Sequence, residues 1–157
     1  MKELRWCRVL CWLLETSSGA AGATELQQRI CSLARVDDHV SFSAIGREIT
    51  EGDSRYDVVL VGQDLDLVIE AKVNAPSDMN QLDQYRQAFL KGTKKFAGLF
   101  LTKKKEKPDN WESATWCELA EVLEDICLSN KDNEGRADRM WNLIANDFAI
   151  YIKTMTS

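Results

Sequence analysis

Apolar residues at Leu4, Cys7, Leu10, Cys11 and Leu14 recur at the three- and four-residue spacing of a helix. Thr16-Ser17-Ser18-Gly19 ends that helix, and Gly22 extends the loop. A second helix is expected from a cap at Thr24 to about Ala34, with Leu26, Ile30, Cys31 and Leu33 turned inward. Residues 36–50 read as a first strand around Val40, Phe42 and Ile45, with Gly46 as a bend or bulge. Two apolar runs follow, Val58 to Val61 and Leu65 to Ile69, separated by Gly62-Gln63-Asp64. Asn74-Ala75-Pro76 breaks the second run, and Ser77 or Asp78 caps a further helix carrying Gln81 and Tyr85. Phe96 to Thr102 is another buried strand. Ser113-Ala114-Thr115-Trp116 leads into a helix with Leu119, Val122, Leu123 and Ile126 on one face. A polar connection, 129–135, precedes a last helix over 136–155, in which Trp141, Phe148 and Tyr151 read as packing groups.

The two runs in the middle predict a hairpin whose turn is Gln63-Asp64. That register sets Asp57 opposite Glu70 and Arg55 opposite Lys72. Strand alternation then puts Tyr56, Val58, Leu60, Leu67, Ile69 and Ala71 on a wholly apolar face. The other face is apolar near the turn (Val59, Val61, Val68) and charged at its far end. Facing carboxylates repel, and a divalent cation between them relieves that cost. The plain alternative is a surface end with dispersed charges. The reading of a site requires both acids on one side of the sheet and room beside them for a phosphate.

Asp57, twelve residues, then Glu70-Ala71-Lys72 resembles the D…(D/E)xK signature of the PD-(D/E)xK nuclease superfamily. Gln81-Leu82-Asp83-Gln84-Tyr85 resembles the QxxxY element on the helix after that hairpin in many members. The opening also resembles one branch, in which a glutamate leads a helix ending in a WLLD-like run: here Glu3 and Trp12-Leu13-Leu14-Glu15. The histidine often found in the following loop is missing, and Ala71 stands where that branch often has asparagine. The resemblance implies one restriction-endonuclease-like α/β sandwich over residues 1–157. Its small mixed sheet has an antiparallel hairpin core and helices on both faces. It further implies Mg²⁺ or Mn²⁺ held by Asp57, Glu70, the carbonyl of Ala71 and Glu3, and a catalytic set of Asp57, Glu70, Lys72, Gln81 and Tyr85. The implied reaction is hydrolysis of DNA, with RNA as another substrate class, in phage defence or DNA maintenance. A solvated first-turn residue is the other reading of Glu3. Glu48 and Glu51 precede the hairpin, and either could approach the site or simply be solvated.

Length suits one domain with a real core, and 45% apolar with 29% charged residues marks a folded chain. No apolar run is long enough to span a bilayer. The N-terminal apolar stretch is interrupted by Arg8 and Glu15, which suits an amphipathic helix better than a signal peptide. Five cysteines without a CxxC pair suggest buried thiols in a reducing cytoplasm. His39 is the only histidine, which disfavours histidine metal clusters and serine–histidine triads. A net charge of −5 argues against a protein that coats nucleic acid. Even so, Lys91, Lys94, Lys95, Lys103, Lys104, Lys105 and Lys107 share the stretch 91–107 with one acid, Glu106. With Arg55, the lysines Lys94, Lys95, Lys103 and Lys104 are the expected phosphate contacts; solvated strand ends are the other reading. Without a specificity domain, the nuclease would work as a homodimer, with a partner subunit, or on structured or single-stranded DNA. The competing class is the same fold kept as a non-catalytic binding or assembly subunit.

Overall fold

The computed structural model describes residues 2–37, 40–49, 56–72, 95–106 and 108–156, with side chains described except at 2–4, 47–49, 56 and 57. The elements run α1 (Lys2–Leu14), α2 (Ala21–Leu33), β1 (Phe42–Ile49), β2 (Tyr56–Gly62), β3 (Leu65–Ala71), β4 (Lys95–Thr102), β5 (Glu112–Thr115), α3 (Trp116–Ser129) and α4 (Arg136–Thr156). The five strands form one sheet in sequence order. Strands β1, β2 and β3 pair antiparallel, whereas β3–β4 and β4–β5 are parallel, giving a mixed sheet.

The hairpin has the expected register, with Val58 paired to Ile69, Leu60 to Leu67 and Asp57 to Glu70. Gly62 is required at its turn, because a Cβ there would lie 2.5 Å from the carbonyl oxygen of Leu65. Val58, Leu60, Leu67, Ile69 and Ala71 are buried, and with Leu99, Leu101 and Ala114 they form the sheet's share of the main core. All four described helices contribute to that same core. The opposite face carries a smaller cluster of Val59, Val68, Phe100 and Trp111. The described helices therefore cover one face. The expected crossover helix with Gln81 and Tyr85 lies outside the described residues.

Aromatic edges tie the helical layer together. The Trp6 ring meets Trp116 edge-on at 4.7 Å between centroids and Phe148 at 6.2 Å. Such pairs add about 0.5–1.5 kcal/mol beyond their buried area. Trp141 and Phe148 are core groups as expected, while Tyr151 leans its edge on Trp6 and stays partly exposed.

Several boundaries differ from the sequence reading. Helix α2 starts at Ala21, not at a Thr24 cap, and its cap residue Ala20 offers no side chain to the helix. Asp138 of α4 does so instead, accepting from the Ala21 N–H at 2.8 Å. Gly22 is thus helical rather than loop, and it is small because Trp141 packs on it: a Cβ would lie 2.3 Å from that ring. At the other end, Arg35 takes a left-handed φ of 56° while Val36 N–H bonds Cys31 O. These close the helix as a glycine cap would, so β1 begins at Phe42 rather than Val36. The irregularity in β1 falls between Phe42 and Ala44, and Gly46 pairs regularly with Val59. Of the lead-in read at Ser113 to Trp116, the residues Ser113 to Thr115 belong with Glu112 to the edge strand β5.

Candidate metal and phosphate site

Alternation on β3 sends Leu67, Ile69 and Ala71 into the main core and leaves Val68 and Glu70 for the other face. Near the hairpin turn that second face is apolar. At its far end the register aligns three acidic positions, one on each of three strands. Glu48 of β1 is the Cα partner of Asp57, which in turn is the partner of Glu70. Directly paired residues share a face, and neighbouring strands lie about 4.8 Å apart. Three acids therefore occupy one row, with Phe100 next in line on β4. The side chains of Glu48 and Asp57, like that of Glu3, lie outside the described residues. Among the described residues, no three His, Cys, Asp or Glu side chains form a metal-holding group.

Lys72 extends the row's end by one step. Its N–H donates to Leu101 O at 2.8 Å, so the parallel ladder continues past the last residue of β3. Its own carbonyl accepts a 2.9 Å hydrogen bond from the indole Nε1 of Trp116. The main chain of Lys72 is thereby held on both sides, and alternation keeps its side chain on the side of Glu70. Ala71 pairs with Tyr56 on one side and Leu101 on the other.

The sequence reading placed Trp116 at the approach to a helix but did not foresee its contact with Lys72, although a signal for its placement is present. Thr115 and Glu118 form a reciprocal capping box, Thr115 Oγ1 accepting from Glu118 N at 3.1 Å and Glu118 Oε2 from Thr115 N at 3.0 Å. That box fixes the first turn of α3, and Trp116 is its first residue.

Glu70 and Lys72 are the acidic and basic side chains found buried among the described residues, at 0% and 4% exposure. Burying charged groups is expensive unless they are paired or bound. Glu70 and Lys72 are thus both shielded from solvent.

The basic strip divides between the two ends of the sheet. Lys103 and Lys104 are exposed just beyond Thr102, at the end where Lys72 lies. The hydroxyl of Thr102 donates to the carbonyl of Lys104 and tightens that turn. Lys105 instead pairs with Glu118 at 3.5 Å. Lys95 pairs with Leu65, five residues along β3 from Glu70, roughly 17 Å away at the usual strand rise. There it borders a cleft of about 730 Å³ whose lining includes Asp64, Phe96 and Trp111. The described structure thus does not bring Lys95 to the acidic row. Arg55, Lys94, Gln81 and Tyr85 lie outside the described residues.

Among the described residues no helix is long and apolar enough to cross a membrane. None of the five cysteines is in a disulfide; Cys7 and Cys31 are buried, whereas Cys11, Cys117 and Cys127 are half-buried. Compared with known protein families, with characterised protein sequences and with solved structures, the chain matches none.

Proposed function

We propose that this chain is a metal-dependent phosphodiesterase acting on DNA, with its site on the row Glu48, Asp57 and Glu70 and on Lys72. The observation that carries the reading is the pairing of three acids abreast on adjacent strands, beside a lysine whose main chain is pinned. Like charges facing one another across a sheet are destabilising, and a bound cation offsets that repulsion. Carboxylate oxygens from this row, with the carbonyl of Ala71, are the hard donors that Mg²⁺ or Mn²⁺ takes. Such an ion supplies Lewis-acid activation of the phosphoryl group and of water. Lys72 orients the attacking water or offsets charge building on the phosphate. Gln81, Tyr85, Lys103 and Lys104 are assigned to holding the phosphate, and Glu3 to an outer position in the metal site. A cytoplasmic role in phage defence or DNA maintenance belongs to the same reading and rests on the family resemblance alone.

A panel of linear, circular, branched and single-stranded DNA, with matched RNA, incubated with and without Mn²⁺, tests this directly. The expected result is metal-dependent cleavage lost in Glu70→Gln. No cleavage of any substrate would overturn the assignment.

One observation favours a second reading, a nuclease-type fold used as a non-catalytic binding or assembly subunit. Glu70 and Lys72 are buried, so a phosphodiester reaches them only if this end of the sheet opens. Calorimetric titration with Mn²⁺ separates the two. Binding that disappears in Asp57→Ala and Glu70→Ala belongs to the enzyme, and no binding in the parent chain belongs to the subunit.

A further inference from the structure

We infer that the outward face of α4 is a self-association surface, pairing antiparallel with the same face of a second copy of this chain. Helix α4 has two apolar stripes. Trp141, Ala145, Phe148 and Ile152 make the buried one. Its flanks are taken by neighbours: Trp141 Nε1 bonds Leu13 O of α1, while Cys127 and Glu124 of α3 reach Asn142 O and Lys153. On the remaining side lie Arg136, Met140, Leu143, Asp147, Ile150 and Thr154, all exposed. Their spacing alternates four and three residues, the repeat that lets two helices pack along a seam. Met140, Leu143 and Ile150 are 48%, 63% and 56% exposed, and with Tyr151 they account for four of the six large apolar side chains exposed among the described residues. Concentration of such groups on one helix marks an interaction surface.

Charge then selects the occupant and the register. A parallel pair in register would set Asp147 against its own copy. An antiparallel pair with Met140 against Ile150 would bury Asp147 against Leu143, leaving a carboxylate without a counter-charge. Sliding to put Met140 against Leu143 of the second copy sets Arg136 against Asp147, twice by symmetry. Of the registers that pair these seam positions, this one sets Met140 against Leu143 and Arg136 against Asp147, while Ile150 falls opposite position 133, just before the second helix begins; a polar pair within such a seam is what specifies register.

Sedimentation velocity across micromolar to near-millimolar protein tests the inference. The parent chain should move from 17.8 kDa towards twice that mass as concentration rises. Leu143→Glu should stay at the monomer mass throughout, with the parent's circular dichroism and thermal midpoint, because Leu143 is solvent-exposed in the single chain. Arg136→Asp and Asp147→Arg should each lower the dimer fraction, and the two combined should restore it. A parent chain that is monomeric at every concentration would overturn the proposal. So would a dimer that survives Leu143→Glu, or a combined variant no better than the single ones.

Discussion

Trp116 reaches from the first turn of α3 to hold the main-chain oxygen of Lys72 through a 2.9 Å hydrogen bond, linking residues 44 positions apart. The contact is buried, so the carbonyl has no water to fall back on if the indole N–H is removed. Trp116→Phe keeps an aromatic ring against Trp6 while deleting the donor. It should cost about 1–3 kcal/mol, the penalty for a buried acceptor left unsatisfied. Urea unfolding with an unchanged m-value checks this. A loss well under that range would mean that Lys72 is held by the strand ladder alone.

The acidic row gives a second test that is independent of cleavage. With Glu48, Asp57 and Glu70 abreast, neutralising any one should stabilise the metal-free chain by relieving repulsion, by about 0.2–1 kcal/mol per facing pair. The same change should weaken Mn²⁺ binding. Thermal midpoints of Glu48→Gln with and without Mn²⁺ provide the comparison, and equal shifts in both conditions would detach Glu48 from any cation site.

For Lys72 the expected effect is on turnover. Lys72→Met preserves most of the buried stem and removes the charge. If the ammonium stabilises the transition state, kcat should fall about 10²-fold or more with KM little changed. Single-turnover cleavage measures this, and an undiminished rate removes Lys72 from the chemistry.

Gly22→Ala sets two effects against each other. Alanine is favoured over glycine inside a helix by about 1 kcal/mol. Here the new methyl would sit 2.3 Å from the Trp141 ring, which is itself tied to Leu13 O at 2.8 Å and cannot shift freely. Overpacking of this kind costs about 1–3 kcal/mol. Net destabilisation is expected, seen as a lower thermal midpoint.

Burial, and then the neighbouring charge of Glu124, push the Cys127 thiol above its ordinary value of 9.0. Above that pH the unfolded chain loses this proton while the folded chain keeps it. The thiol's contribution to stability is therefore full below pH 9.0 and is lost as pH rises through the folded value. Thiol modification of the native protein should lag that of a denatured control as pH rises past 9, and identical pH–rate profiles would contradict this.

How much of this was legible in the sequence depended on how local each cause is. The hairpin was readable because a two-residue turn and strict alternation both lie within residues 57–70, and the register of Asp57 and Glu70 follows from them. The start of α2 was not, because its capping carboxylate, Asp138, is 117 residues away. Edge strand β5 has four residues, too few to show a period, and its pairing with β4 is a property of the assembled sheet. The lysines of 91–107 look like one strip along the chain, yet the run of β4 carries Lys95 and Lys103 to opposite ends of the sheet. Glu48 could be aligned with Asp57 only once the pairing of β1 was known. The burial of Glu70 and Lys72 depends on how the whole sheet end is covered, which no local pattern encodes.

The hairpin's short connection also bears on the order of assembly. Closing a two-residue turn loses little chain entropy, so Asp57 and Glu70 can meet as soon as that one segment zips. Anchoring Lys72 must wait for α3 to dock, since the indole that grips it arrives from a distant part of the chain. The acids are thus juxtaposed in an early, local step, and the lysine beside them is immobilised in a late, global one.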